Sequence, residues 1–593
     1  MQLLTFLSSA LRKTQTLRII TILAVFFILA SVSRYQGSVQ YSIDEDGSIQ
    51  SVPSTAGEHD VYFTHHIATF KAKDIRPWTK GDTASLRTPE GQQVVQHLIA
   101  SPFQPPTPSN GHNPKLLKPN FFSTLTKRLR VYRALWEHVK GHYDQLAQDG
   151  KQDEFYLAPP AEIAPAIDFL QKLEQETFPW FLDQYKTSYD LHRNFRDGGR
   201  GIVMCVGEYH TKYARTALKT LREVVKSTLP IEIYYRGEGD LSPANRAWFE
   251  TFENVKTIDI TTKIDDKILN LGGWAIKPFA LLVSRFSEAI LMDSDAYFLE
   301  DPAVMFEDQG YKEVGTVYFY DRTLFPGAGG DKKIWMESFL PSMSNHPAKT
   351  RWFLSKGDHE MESGVVVFDK SRNFMGLLAI CKINDYHERE QVTYKHTWGD
   401  KESFWIGLEM IQVRYSFVRY LGGVIGNVGD AIPYKDMLLP KEEIDQYNKG
   451  EVPLVATNPI HTKTGVQTHR DRPRMDRVCG NQLHFDYRGR PLWWNSGVVR
   501  DKFTRGSPYL KYTAYMKDED GTWDFQSSCL VQRNPGAIME VEWEQRQVAF
   551  GILKADREAA LEINQPSYMD ILEIPRLIRS EGAKGGNGNS EAV

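Results

Sequence analysis

Two aspartates one residue apart, Asp293 and Asp295, sit directly behind a short apolar run in the stretch SEAILMDSDAYFLEDP (residues 287–302). Residues 289–292 are long enough for a buried strand, and Glu300-Asp301-Pro302 stops the segment. A buried strand that ends in two acids places both carboxylates at the carboxyl edge of a sheet, where open α/β sheets bind their ligands. Paired carboxylates there suit a hard divalent cation, Mn²⁺ or Mg²⁺, which takes oxygen ligands and keeps places for substrate phosphates. The alternative is that the acids cap the following turn. Two other acid pairs, Asp44/Asp46 and Asp518/Asp520, lie in polar, turn-like surroundings and read as solvated loop charges.

Three later segments add reactive side chains. In HEMESGVVVFDK (359–370), Glu360 and Glu362 read as a turn before a strand over 365–368, with Glu362 the better candidate for chemistry. In TWGDKESFWI (397–406), Asp400, Lys401 and Glu402 open a helix; Asp400 either caps it or acts in the site. In NPIHTKTG (458–465), His461 is a candidate third metal ligand and Lys463 a point charge for a phosphate. His484 competes with His461 for the ligand role, and solvation is the plain alternative for both.

The elements that must position these groups alternate. Residues 201–206 read as a first strand, with Gly207-Glu208-Tyr209-His210 as its exit loop. A helix over 211–227, strands over 230–235 and 255–260, a helix over 274–286 carrying Lys277, and the strand at 289–292 follow. This order implies an α/β fold with a mostly parallel sheet. Right-handed crossovers then bring Gly207, Tyr209 and the Asp293/Asp295 pair to one edge, with room for a nucleotide between them. Neither a dinucleotide fingerprint nor a P-loop is present.

The chain has 593 residues and a net charge of −4, so nothing marks nucleic acid as a partner. Residues 17–33 (LRIITILAVFFILASVS) are almost wholly apolar and follow Arg12 and Lys13. They predict a single-pass anchor with a cytosolic N-terminus; a leader cleaved near Ser33 is the alternative. No Asn-x-Ser/Thr sequon occurs. The expected organisation is a tail and membrane anchor (1–34), a stem (35–120), a helical segment (121–197, with helices over 122–146 and 161–185), a catalytic domain (198–500) and a C-terminal extension (501–593) ending in a polar tail. Of the four cysteines, Cys205 reads as a buried thiol, and Cys479 and Cys529 are able to pair in an oxidising compartment.

The succession GIVMCVGEYH, LPIEIYYRGEGDL, KPFALLVSRFSEAILMDSDAYFLEDP, ESGVVVFDKSR and GDKESFWIG resembles the fungal α-1,3-mannosyltransferase family. The resemblance implies an A-type glycosyltransferase fold, a GDP-mannose donor, a divalent metal (usually Mn²⁺), a mannose-containing glycan acceptor and a type II Golgi membrane location. It assigns Asp293 and Asp295 to the metal, with His461 as the third ligand by analogy with related retaining transferases. Lys277 and Lys463 would share the diphosphate charge, and the Asp400–Glu402 element lies on the acceptor side. Retention of the anomeric centre leaves Asp400, Glu402 and Glu362 as catalytic candidates, either as nucleophile or by placing the acceptor hydroxyl for attack from the leaving-group face. A UDP-sugar donor on the same scaffold, a non-catalytic glycan-binding or scaffold subunit, and a metal-dependent nucleotidyl- or phosphotransferase are the alternatives.

Overall fold

The computed structural model describes residues 41–43, 49–51, 67–71, 74–105, 115–185, 187–429, 432–433, 474–499, 509–519, 522–524, 528–532 and 537–563. The chain divides into two units, Met1–Tyr62 and Phe63–Val593. In the first, Tyr41–Ile43 pairs antiparallel with Ile49–Ser51. The second carries Asp293 and the residues around it. The expected anchor at 17–33 lies outside the described residues, and no helix among the described residues is long and apolar enough to cross a membrane.

Among the described residues six strands form the central sheet: β1 (Arg200–Cys205), β2 (Ile231–Tyr235), β3 (Val255–Asp259), β4 (Glu288–Met292), β5 (Thr316–Tyr320) and β6 (Met361–Asp369). Their order is β3-β2-β1-β4-β6-β5. The first four run parallel, while β6 is antiparallel to β4, and β5 to β6. The α/β expectation therefore holds, with an antiparallel pair added at one side. β4 lies between β1 and β6, and its residues 289–292 are buried on both faces, which accounts for the unbroken apolar run. Ile202 registers with Ile290, and Ile290 with Val367, all of them buried. Each such side chain contributes on the order of 1.5–3 kcal/mol by leaving water.

Seven helices matter to the site: α1 (Phe121–Gln148), α2 (Ala164–Thr177), α3 (Thr211–Lys219), α4 (Ile276–Val283), α5 (Lys370–Ile383), α6 (Ser403–Met410) and α7 (Trp543–Glu562). The helix expected over 161–185 is shorter, because Pro179 disfavours helical backbone at Phe178. The helix expected over 211–227 gives way at Thr220–Val224 to a π turn. The turn expected around Glu360 and Glu362 is partly strand: β6 begins at Met361, because both acids are buried and partnered within the fold.

The segment before residue 198 is tied to the catalytic sheet. Arg130 Nε and Arg133 Nη1 of α1 donate to the carbonyls of Met410 and Ile411, at 2.8 and 2.7 Å. These are the orphan carbonyls at the end of α6, and a cation there also suits the helix dipole. The boundary expected at 500/501 is crossed in the same way. Arg474–Phe485 pairs with Gly423–Val428 on one side and with Cys529–Gln532 on the other. Ala514–Met516 pairs with Gly423–Val428. Pro491–Trp494 joins this second sheet to Tyr297–Phe298, two residues after Asp295. Cys479 and Cys529 face each other across it and form a disulfide.

Candidate active site

β4 delivers Asp293 at its carboxyl end, as the sequence predicts. The Asp293 N–H donates to the Gly364 carbonyl at 2.7 Å, fixing the acid beside β6. Lys277, in the first turn of α4, reaches the same point. Its Nζ lies 2.9 Å from Asp293 Oδ1, 3.2 Å from Asp400 Oδ2, 3.0 Å from the Ser363 carbonyl and 3.2 Å from Ser363 Oγ. An ammonium has three N–H bonds, so these acceptors already engage all of them. Lys277 thus braces two carboxylates at the end of β4.

These groups line an open cavity of about 750 Å³ at the sheet edge. The wall on the β1–β2 side carries Gly207, Tyr209, Tyr213, Arg236 and Asp240, and Trp274 lines the cavity from the turn before α4. Gly207 is needed there because a Cβ would lie 2.6 Å from Asp240 Oδ1. Asp240 in turn accepts the Arg236 N–H at 2.7 Å within the β2 exit loop, and the Glu208 N–H donates to the Asp240 carbonyl at 2.7 Å, joining the two exit loops. The wall on the β5–β6 side carries Asp321, Phe325, His359, Glu362, Trp398 and Lys401. Asp293 and Asp295 lie between the walls.

The charges are clustered. Burial opposes ionisation of Asp293 and pushes its carboxyl up to about 7; Lys277 pulls it back, and Asp295 and Asp400 push it further. Burial also raises Asp400, against the pull of Lys277. Burial disfavours the charge on Lys277, but Asp293 and Asp400 outweigh it and hold the ammonium above the usual lysine range. On the other wall, Lys401 Nζ donates to Asp321 Oδ2 at 2.6 Å and Glu362 Oε2 at 3.0 Å. Burial works against the Asp321 charge, yet Lys401, His359 and Arg322 hold its carboxyl well below the usual range. Burial depresses His359 to about 4, so its ring is neutral near pH 7.

The fold brings together Gly207, Tyr209, Lys277, Asp293, Asp295, Glu362 and Asp400. Glu402 is not among them. It turns inward, accepting the backbone N–H groups of Glu360 (2.8 Å) and Met361 (3.2 Å) and the Trp405 indole N–H (2.6 Å). Its place is behind the site, holding the start of β6. Asp400 is not a helix cap either: α6 starts at Ser403, and the Asp400 carboxylate faces Lys277. Glu362 accepts the Gly364 N–H at 2.7 Å and the Asn495 amide at 3.1 Å besides Lys401. Glu360 pairs with Arg351 in the interior. His461 and Lys463 lie outside the described residues. His484 is buried, stacked on Trp493 with centroids 4.0 Å apart, and does not line the cavity. Cys205 is half-buried and lines the cavity. Asp518 is buried, accepting from Thr323 Oγ1 and the Trp523 indole, and is no solvated loop charge. Asp44, Asp46 and Asp520 lie outside the described residues.

Among the described residues no group of three His, Cys, Asp or Glu side chains is placed to hold a metal. Asp293 and Asp295 nevertheless fit a hard divalent cation. Both donors are oxygen, and after burial the neighbouring charges of Asp295 and Asp400 add to what opposes the Asp293 charge, an opposition a bound cation would relieve. Two protein ligands leave coordination places for water and phosphate oxygens.

Residues 199–449 match the family model described as "Mannosyltransferase putative". The chain is 24% identical over 475 residues to "Putative alpha-1,3-mannosyltransferase MNN15" of Candida albicans, covering 67% of this chain and 54% of that protein. It is 25% identical over 353 residues to "Alpha-1,3-mannosyltransferase MNT3" of Saccharomyces cerevisiae, covering 53% of this chain and 50% of that protein. The chain thus spans about half the length of these curated relatives. Among solved structures it is similar to the galactosyltransferase LgtC in complex with donor and acceptor sugar analogs, at 15% identity and a TM-score of 0.24, covering 35% of this chain and 70% of that chain. It is also similar to the mannosyltransferase Ktr4p of S. cerevisiae in complex with GDP, at 11% identity and a TM-score of 0.24, covering 40% and 77%.

Proposed function

We propose, from the match of residues 199–449 to the mannosyltransferase family model, that this chain transfers mannose from GDP-mannose to a mannose-containing glycan in α-1,3 linkage. The reading continues to a divalent metal, Mn²⁺ or Mg²⁺, held by Asp293 and Asp295, and to a Golgi membrane location. The observation that carries it is the convergence of Asp293, Asp295, Lys277 and Asp400 at the carboxyl end of β4, in a cavity with the β1 and β2 exit loops on one side and residues around β5 and β6 on the other. The Cys479–Cys529 disulfide suits an oxidising lumenal compartment.

When bound, the metal would supply positive charge against the diphosphate leaving group. The chain's own residues do the rest. Lys277 ties Asp293 and Asp400 to one point and pulls both carboxyls down against burial, so Asp293 is aimed before substrate arrives. Tyr209, 83% exposed at the rim, offers a face for a nucleobase. Glu362, already accepting from Gly364, Asn495 and Lys401, is poorly placed as a nucleophile. That favours attack from the leaving-group face. The C1–O bond to phosphate breaks, the acceptor oxygen bonds C1, and the acceptor proton passes to the departing phosphate oxygen. Asp400 then positions rather than attacks. A panel of sugar nucleotides offered to the full-length protein with Mn²⁺ and mannose oligosaccharides tests this. Turnover of GDP-mannose alone, abolished by chelator, is expected. Turnover of UDP-galactose, UDP-glucose or UDP-xylose instead would overturn the donor, and no turnover of any donor would overturn the enzyme reading.

A further inference from the structure

We propose that the Cys479–Cys529 disulfide is a redox switch acting on the cavity wall at residues 321–325, so that the transfer proposed above runs only while the two sulfurs are joined. The control of activity rests on that proposed transfer; the opening of the wall does not.

The bond sits near an edge. Cys479 and Cys529 register across two antiparallel strands, Arg474–Phe485 and Cys529–Gln532, and Thr522–Asp524 pairs outside them as the last strand of the second sheet. Among the described residues, these two outer strands pair with the sheet through Arg474–Phe485 alone. Two short strands are marginal in water by themselves, so a covalent tie matters most here. Cys529 is 2% exposed, whereas Cys479 is half-buried, and the bond is open to approach from the Cys479 side. Exposed disulfides are the ones that thiols reduce in folded proteins.

The outer strands also hold one wall of the cavity. Asp321, Arg322, Leu324 and Phe325 line it. Leu324 is buried in a small core with Val478, Met516, Trp523 and Leu530. The Arg322 guanidinium lies over the Trp523 ring, 5.8 Å from its centroid. Thr323 Oγ1 and the Trp523 indole N–H both donate to Asp518 Oδ2, at 3.1 and 3.2 Å. Gln482, three residues after Cys479, donates to Asp321 Oδ1 at 3.0 Å. The opposite wall is held by other means: the β1 and β2 exit loops bond each other, and α3 behind them pairs with α7.

The chemistry is thiol–disulfide exchange. A thiolate of the glutathione class attacks the Cys479 sulfur, and Cys529 leaves as a thiolate and takes a proton. A second thiol displaces the first from Cys479. Two electrons and two protons pass to the protein, and the reductant leaves as its own disulfide. An oxidised small disulfide runs the exchange backwards. With the sulfurs parted, the outer strands keep only their short ladders. When those strands open, Leu324 loses its cover and Arg322 its ring, and the array of Asp321, Lys401 and Glu362 loses its support.

The test uses full-length protein in buffers of reduced and oxidised glutathione, without denaturant, read by hydrogen exchange and by transfer from GDP-mannose. Reduced glutathione is expected to open Cys479–Cys529, seen by alkylation and mass spectrometry. Exchange at residues 321–325 and 522–524 should then speed up by about tenfold or more, while residues 207–213 stay unchanged. Transfer should fall in step and return with oxidised glutathione. A Cys479→Ser/Cys529→Ser variant should match reduced wild type and ignore glutathione, which separates this bond from the cavity thiol Cys205. The wild-type titration stands by itself if that variant does not fold. The switch is overturned if glutathione leaves the bond intact in folded protein, or if the opened protein exchanges and transfers as the closed one does. Faster exchange everywhere would also overturn it, as plain unfolding. A protein silent toward every donor would overturn the activity alone, since exchange is read without substrate.

Discussion

Asp293 carries the most at the scale of single residues. Asp293→Asn keeps the shape of the side chain but removes the charge facing Lys277 and the proposed metal, and is expected to lower kcat by about 10²–10³-fold or more, as for loss of one preorganised charge-stabilising group. Retained activity in a variant with an unchanged Tm would contradict that. The raised carboxyl also predicts a pH dependence. Asp293 titrates near 7 in the folded protein and near the ordinary value of about 4 when unfolded, so the unfolded state sheds its proton first. Metal-free stability from this group is therefore greatest below pH 4, falls as pH rises to 7, and is level beyond. Only the ionised carboxylate binds a cation, so the rise in Tm on adding Mn²⁺ should be larger at pH 7.5 than at pH 5.5; equal shifts would speak against an Asp293 metal site. Glu402→Gln should do the opposite of a catalytic change. It loses the acceptor for the Trp405 indole, costs about 1–3 kcal/mol of stability, and leaves kcat within a few-fold. The Asp293/Asp295 pair was legible in the sequence because an apolar strand stops at it. Glu402 was misread because adjacency to Asp400 does not reveal that the chain turns between them. Asp321, His359 and Trp398 were missed because they come from separate segments and meet only in the fold.

Glycines decide the site at the scale of elements. A Cβ on Gly364, one residue after Ser363 in β6, would lie 2.7 Å from Asn495 Nδ2 and 3.0 Å from Glu362 Oε1. Gly364→Ala is expected to displace both and lower activity at least about tenfold, with a stability loss of about 1–3 kcal/mol. Gly399 has φ +66°, and a Cβ there would lie 2.7 Å from the Trp274 ring, so Gly399→Ala should act likewise, read as a fall in Tm together with kcat/KM. The strands were legible from their apolar runs, and four of them proved parallel as alternation predicts. The antiparallel entry of β6 was not, because its first residues include an acid. Pairing with Lys401 and Asn495 lets Glu362 sit in a buried strand that composition alone reads as a turn.

At the scale of the whole molecule, the second unit, Phe63–Val593, is more unified than its composition suggests. Strands beyond residue 501 complete the second sheet, and α7 clamps α3 through Lys212–Asp556 (3.1 Å) and Lys219–Glu562 (3.0 Å), behind the wall that carries Tyr213. A chain ended at residue 500 is therefore expected to yield no soluble, active protein, where a dispensable extension would leave activity intact. Cys479→Ser should cost about 2–4 kcal/mol, since the disulfide links residues 50 apart and staples the last strands to the sheet. That closure was hidden in the sequence because a short strand pairing across a long gap leaves no local periodicity. The measurement that bears most directly on the account is calorimetric binding of GDP to full-length protein with and without Mn²⁺, for wild type and Asp293→Asn. The account predicts binding by wild type only with Mn²⁺, and none by the variant at either condition. GDP bound equally well without metal, or equally well by the variant, would contradict it.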